Sequence, residues 1–385
     1  MSNASKTWNK KIMLGLALIG FSCTSLAAGL TNSLALFAGL RFMFGIFASG
    51  INAPIYQLIA TNFPIEYRST ANSIENLGYR FGAMFASFMV IVIKNYGWRA
   101  MYILMGSCGV ALGLTALAVI KNPAPVMPPK IVEPVSEVET QDSESPVVEK
   151  PINPLVDFVN TIKELWSNPT AKWVTLGGSL RFFEAFTGVY FLPSFYQKVY
   201  PLLKSEFGIL NGLIQGPLGA ISILACGILA DRLEKRTLMA KSYIGMIGGA
   251  LAIPAIIGAC WFQNTNFYVS LAFLALKFLV SEGFMAPTIT MMQRTVKPEN
   301  QGPIVSAYLF FLTVTGCAST LFMSHFAKIL GAANAPWIYG KLITIGSVFG
   351  FAGSIYCYWK AGKSYIAHLK MQEEKNKEAI ATILS

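Results

Sequence analysis

Ten separate stretches of this chain are each long and apolar enough to cross a lipid bilayer, and no other feature limits the fold as severely. A span needs about 20 mostly apolar residues. Such runs are read at about 12–29, 34–60, 71–93, 98–120, 173–198, 206–230, 242–262, 267–292, 303–328 and 337–359. Hydrocarbon offers a backbone no hydrogen-bond partner, so each run must be helical, and the alternation that marks a barrel strand is missing. Composition agrees: 54% of the 385 residues are hydrophobic and 13% are charged, where soluble domains carry about 25% charged residues. A disordered chain, a coiled coil and an ordinary cytosolic enzyme are thereby excluded. The six cysteines all sit inside apolar runs with no C-x-x-C pair, which makes them small packing residues rather than metal or disulfide ligands. The expectation is an all-α, multi-pass integral membrane protein, with nothing to say which membrane holds it.

The formal net charge of +11 raises nucleic acid as a partner, but such a partner calls for cations clustered on one wet face. Here Lys and Arg fall between the apolar runs and follow the positive-inside pattern. With the N terminus in the cytoplasm, Lys6, Lys10, Lys11, Arg68, Arg232, Lys235, Arg236, Lys241, Arg294, Lys297, Lys360 and Lys363 lie inside. Only Lys94, Arg99, Lys198, Lys204, Lys328 and Lys341 lie outside. An even number of spans returns the C terminus to the cytoplasm as well. The chain then divides into a four-helix half (1–120), a cytoplasmic linker (121–172), a six-helix half (173–360) and a charged tail (361–385). The linker opens Pro-, Glu- and Ser-rich, a composition that cannot bury a core. It closes on Leu155, Phe158, Val159, Ile162, Leu165 and Trp166 at helical spacing. That short amphipathic helix lies either on the membrane surface or against its own bundle.

An internal repeat is visible. Gly50-Ile51-Asn52-Ala53-Pro54 and Gly283-Phe284-Met285-Ala286-Pro287 share the pattern G-x-x-A-P; Pro64 and Pro298 follow, then Gly82 and Gly316. Two homologous halves offset by about 233 residues are the mark of a duplicated transporter. The offset sets 12–29 opposite 242–262 and leaves the spans at 173–198 and 206–230 without counterparts. The expectation is a six-plus-six architecture in which this chain lacks the first two helices; a ten-span fold is the alternative.

Gly227-Ile228-Leu229-Ala230-Asp231-Arg232-Leu233-Glu234-Lys235-Arg236 resembles the signature G-x-x-x-D-[RK]-x-G-[RK]-[RK] of the major facilitator superfamily, found between the second and third helices of a half. Glycine lets helices approach, Asp231 can pair with a cation or a helix N terminus of the other half, and Arg232, Lys235 and Arg236 bind the anionic leaflet. Glu234 departs from the signature, where glycine is usual, which puts the turn geometry in question. Leu40-Arg41 with Gly45 and Gly50, "NFPIEYRSTANS" and "YGWRAMYILMG" also resemble the family, and they match the first four spans to helices three to six. "FEAFTG" followed by Leu192-Pro193 resembles spinster-like lipid transporters, and organic-anion transporters of the superfamily fit to the same degree. No sugar-porter or antiporter signature is found. The resemblance implies a major facilitator fold and secondary active transport by alternating access around a midplane site.

Ionisable residues at membrane depth are costly and mark functional sites. Arg181 and Glu184, at i and i+3, share a face and can neutralise each other. Asn72, Asn76 and Arg80 form a polar stripe toward the central cavity, with Glu75 and Tyr79 in the adjacent row. Lys277 and Glu282 lie near mid-depth, about 140° apart on an ideal helix. Asn211 and Gln215 share a face. The site expected is therefore Arg80, Arg181 and Lys277 as an anion-attracting lining, Tyr79 and Tyr190 as aromatic walls, and Asn76, Asn211 and Gln215 as polar contacts. Glu184 or Glu282 would be the proton-coupling carboxylate. In the competing reading, Arg181–Glu184 and Arg41 are interhelical ties. No ATP-binding loop or catalytic grouping is found, so no enzyme, metal or cofactor is expected, with coupling to protons or Na+ left open. The expected partners are a small organic solute, anionic or amphiphilic, and the lipid bilayer, with the protein monomeric and no nucleic acid. The alternative is a non-transporting membrane protein that binds, scaffolds or regulates.

Overall fold

The computed structural model describes residues 10–119, 154–262 and 266–384; the Pro-rich stretch at 121–153 lies outside them. Every regular element among the described residues is helical. Helix α1 is Lys10–Leu30, α2 Leu34–Asn62 and α3 Arg68–Val119. The short α4 is Pro154–Ser167 and α5 is Pro169–Val199. A broken rod follows: α6 Lys204–Leu213, a π turn Ile214–Leu218 and α7 Gly219–Glu234. Next come α8 Ala240–Cys260 and a second broken rod: α9 Phe267–Ser281, a 3₁₀ turn Glu282–Phe284 and α10 Met285–Arg294. Helices α11 Gln301–Ile329 and α12 Trp337–Leu384 complete the chain.

Local chemistry explains the breaks. The expected separation of 71–93 from 98–120 is a kink within α3, at Gly97, whose φ of 81° is open to glycine. Asn168 caps α5 by accepting from the N–H groups of Thr170 and Ala171, with Pro169 at the first helical position. Arg68 donates to the carbonyls of Ala60 and Phe63, satisfying the open end of α2.

Among the described residues, eight helices are long and apolar enough to cross a membrane: Ile12–Leu30, Leu34–Asn62, Ile91–Val119, Glu206–Glu234, Ala240–Cys260, Phe267–Arg294, Gln301–Ile329 and Trp337–Glu378. The expected spans at 71–93 and 173–198 are helical but fall outside that set. They carry Asn72, Glu75, Asn76 and Arg80 in one and Arg181, Glu184 and Lys198 in the other, which lowers their apolar character. On α12, Trp337 and Trp359 are 22 residues apart, about 33 Å at 1.5 Å per residue, matching a hydrocarbon core of about 30 Å. Lys341 lies 4.2 Å from the ring centre of Trp337 and Lys363 lies 3.8 Å from that of Trp359, the pattern of anchors at two interfaces.

Helices α1–α3 pack on one another, and α5, α8, α9, α11 and α12 pack on one another. Between the two groups, α3 runs along α6–α7 and meets α10, while α2 meets α11. The α3/α6–α7 contact is antiparallel and close. Gly212, Gly216, Gly219 and Gly227 face Ser87, Met84, Arg80 and Ser73 in turn. The end of the bundle holding Arg68, Asp231, Glu234, Arg294 and Asn168 is called the basic end below. Helix α4 is fixed there by its C-terminal half: Leu165 is fully buried and the Trp166 ring stands edge-on to Phe311 at 5.4 Å. Phe158 and Val159 remain exposed.

Candidate functional site

Four of the residues singled out from sequence form one buried chain of charge between the halves. Arg80 of α3 donates to Glu282 at the 3₁₀ turn. Lys277 of α9 lies 3.2 Å from the same carboxylate and 3.0 Å from Glu184 of α5. Glu184, Lys277 and Glu282 are 2%, 4% and 7% exposed. These groups lie 12–17 residues from the basic ends of their helices, roughly 18–25 Å at 1.5 Å per residue. The cluster therefore sits near mid-height.

Two expectations are corrected here. Glu184 does not neutralise Arg181: Lys277 reaches Glu184, while Arg181 donates to the carbonyl of Ser281. The Arg181 guanidinium is held between the rings of Phe284 and Phe351, 4.6 and 4.4 Å from their centres. Its Nε and Nη1 have no hydrogen-bond partner. Lys277 and Glu282, set apart on an ideal helix, nevertheless meet: the lysine Nζ lies 3.2 Å from the carboxylate, beside the 3₁₀ turn that begins at Glu282. That turn and the π turn at Ile214–Leu218 interrupt two rods at one height. Such interruptions recur at functional sites and in transporter helices that line a midplane site.

The other predicted residues are placed differently. The Asn72–Asn76–Arg80 stripe meets the opposing half rather than an open cavity. Asn72 Nδ2 donates to Thr290 Oγ1 at 3.0 Å and Gln293 Oε1 at 3.3 Å, and Asn76 bonds back to the Asn72 carbonyl. Tyr79 and Tyr190 are exposed, at 68% and 59%, and wall no enclosed space. Gln215 Nε2 donates to Asn211 Oδ1 at 3.0 Å, one turn away on the same rod. Arg41 is apart from the cluster, its guanidinium against Phe37, Phe44 and Tyr102 of the first half. Sequence reasoning missed Ser281, Phe284, Phe351, Thr290 and Gln293. Thr290 and Gln293, polar positions late in an apolar span, carried a signal; the two rings around Arg181 carried none.

The signature segment lies at the basic end, against the start of α3. Asp231 is buried and accepts from the N–H groups of Ser69 at 3.3 Å and Thr70 at 2.8 Å, and from the Thr70 hydroxyl at 2.8 Å. It thus caps the first turn of α3, where unsatisfied N–H groups and the helix dipole favour an anion. Gly227 allows the approach, since a Cβ there would collide with the Ser73 side chain and lie 2.9 Å from the Ser69 carbonyl oxygen. Glu234 leaves the turn intact because no positive φ is required there. Its carboxylate instead gathers Lys241 at 2.5 Å, Arg294 at 2.8 Å and the Tyr365 hydroxyl at 2.8 Å. Arg232, Lys235 and Arg236 are exposed and make no ion pair among the described residues. No grouping fit to hold a metal ion occurs among the described residues.

The described residues thus form a helical membrane-spanning bundle whose two groups of helices meet at a buried charge cluster. The chain belongs to the Major Facilitator Superfamily, whose family profile matches residues 1–320. It is 23% identical over 322 residues to an MFS-type efflux pump of Mycolicibacterium smegmatis, a match covering 82% of this chain and 68% of that protein. It is 25% identical over 342 residues to a probable galactarate/D-glucarate transporter of Escherichia coli, covering 82% and 71%. Among solved structures, a bacterial homologue of the human lysosomal transporter Spinster, inward-facing and unoccupied, matches with a TM-score of 0.60 at 16% identity, covering 95% of this chain and 86% of that one. At that identity the likeness is one of fold.

Proposed function

We propose that the protein is a secondary transporter of a small organic solute, anionic or amphiphilic, working by alternating access around the mid-height charge cluster. One observation carries this reading: the Arg80–Glu282 pair ties the two halves where three cations, Arg80, Arg181 and Lys277, meet only two carboxylates, Glu184 and Glu282. The cluster is short of one negative charge, and Arg181 keeps two N–H groups unpaired. An anionic solute group supplies both deficits. It also offers Arg80 a second partner, so the pair between the halves can be exchanged for a pair with solute instead of being broken outright. An unpaired buried charge costs several kcal/mol, and partner exchange avoids that cost. The E. coli relative, a probable galactarate/D-glucarate transporter, points to carboxylate solutes. The Asp231 cap on α3 closes the basic end, proposed as the cytoplasmic side with both termini. Exposed Arg232, Lys235 and Arg236 hold that end against the anionic leaflet. Coupling by protons or Na+ and a monomeric state complete the proposal.

The test is counterflow of a labelled panel of sugar acids, aromatic acids and lysolipids into proteoliposomes holding the purified protein. Flux of at least one acid is expected, falling more than tenfold in Arg181→Ala and in Glu184→Gln at unchanged expression. Normal flux in both variants would make these residues interhelical ties. No flux across the panel, with retained acid binding, would favour a binding or regulatory protein.

A further inference from the structure

Three glutamates held between the rods, Glu184, Glu234 and Glu282, are ion-paired. Glu75 is not. Its carboxylate is half-buried, makes no ion pair among the described residues, and accepts one hydrogen bond, from the Tyr56 hydroxyl at 2.9 Å. It stands seven residues into α3, about 10 Å from the basic end, between the Asp231 cap and the mid-height cluster.

Its surroundings belong to the contact between the halves. Tyr56 is 2% exposed and packs in one core with Ile289, Met292, Ile304 and Tyr308 of the second half. The Tyr56 carbonyl accepts from Gln293 Nε2 at 3.2 Å, and Gln293 in turn accepts from Asn72, three residues before Glu75. The charged groups nearby are already engaged. On its own helix, Arg80 serves Glu282 and Arg68 serves two carbonyls. From α7, Asp231 caps α3; from α10, Arg294 serves Glu234. Helix α2 contributes Tyr56 and α11 contributes Tyr308; the cysteine of α1, Cys23, is exposed, and Glu206 of α6 accepts from Tyr268 at the opposite end. Among the described residues, no cation pairs with Glu75.

We propose that Glu75 is a proton-binding site of this protein and that its ionisation opens the contact between the halves at the basic end. The inference rests on the alternating-access reading above. A carboxylate without a cation partner, half withdrawn from water, favours its neutral form. Parting the halves strips the core from Tyr56 and admits water, which stabilises the charged form. The closed arrangement therefore binds the proton more tightly, so acid holds the gate closed and rising pH opens it. The proton site is then distinct from the solute site, where both carboxylates already have cations.

The experiment places spin labels, through non-natural residues, at exposed Tyr67 of the first half and exposed Lys297 of the second. Their separation is read in nanodiscs from pH 5 to 9 by pulsed dipolar spectroscopy on the full chain. The distance should lengthen with pH in the parent protein and stay short throughout in E75Q. In Y56F, which removes the hydroxyl that stabilises the carboxylate, the midpoint should rise by about one pH unit. A pH response unchanged in E75Q, or absent from the parent, overturns the proposal; loss of the response in E184Q alone moves the proton to the mid-height cluster and overturns it equally. Solute flux separates the two claims. A Glu75-dependent gate without flux defeats only the transport reading, and flux with a gate indifferent to E75Q defeats only the proton site.

Discussion

At mid-height the two halves meet through full charges, Arg80 against Glu282, whereas at the basic end they meet through a carboxylate on a helix N-terminus and a chain of amides. The first junction is strong against one-sided loss: removing one partner of a buried pair costs about 3–5 kcal/mol. The second is made of contacts each worth about 0.5–1.5 kcal/mol, and water replaces them readily. On the proposed alternating-access reading, a bundle joined in this way is expected to part at its basic end before its centre, and its centre to yield to a solute that brings a charge of its own.

The largest expected effect comes from Lys277, which serves Glu184 and Glu282 at once. Lys277→Met leaves Glu184 with no cation and should lower stability by about 3–5 kcal/mol, read as thermal unfolding in detergent. Adding Glu184→Gln should restore much of the loss, because the orphaned charge is then gone. If the single variant melts like the parent, the charges at mid-height are not tightly coupled and the strong side of the contrast between the two heights is lost.

A smaller but more directional effect is expected at Gly227. Valine there would drive its Cβ into the Ser73 side chain and the Ser69 backbone. Backbone cannot step aside as a side-chain tip can, and overpacking of this kind costs about 1–3 kcal/mol. The cost falls only on the closed arrangement, so the Tyr67–Lys297 separation should be long at every pH. A short separation in Gly227→Val would show that close approach of α3 and α7 is not what shuts this end.

How much of this was legible beforehand differs between the junctions for the same reason. The Asp231 segment is contiguous, so its glycine, acid and cations could be read from spacing, and the acid does meet a helix N-terminus of the other half. The mid-height cluster is assembled from α3, α5 and α9, and its members were recognised one by one as costly charges in apolar runs. Their pairing was not legible. Ideal helical angles separated Lys277 from Glu282 and joined Arg181 to Glu184. Partners supplied by other helices, which spacing within one helix cannot show, decided both: Lys277 took Glu184 as well as Glu282, and Arg181 turned to the Ser281 carbonyl. The helix at 71–93 shows the converse: its polar residues were read from sequence as one stripe, and the structure sets Asn72 and Arg80 against different elements, Thr290 and Gln293 for one and Glu282 for the other.

The smallest effect tests the weak junction most finely. Asp231→Asn keeps an oxygen that can accept from Thr70 and removes only the charge facing the α3 dipole, an interaction worth about 0.3–1 kcal/mol. Asp231→Ala also removes the acceptor, and loss of a cap costs about 1 kcal/mol. Melting temperature should therefore barely change in the asparagine variant, while the gate separation at a fixed intermediate pH shifts part of the way toward open. The alanine variant should shift it further. Those free energies correspond to a several-fold change in the open-to-closed ratio, since 1.4 kcal/mol is tenfold. A contact that weak moves a balanced equilibrium without unfolding anything, which is what a gate requires. Equal and large destabilisation by both substitutions would instead make Asp231 a structural charge like those of the centre, and the two junctions would no longer differ in kind.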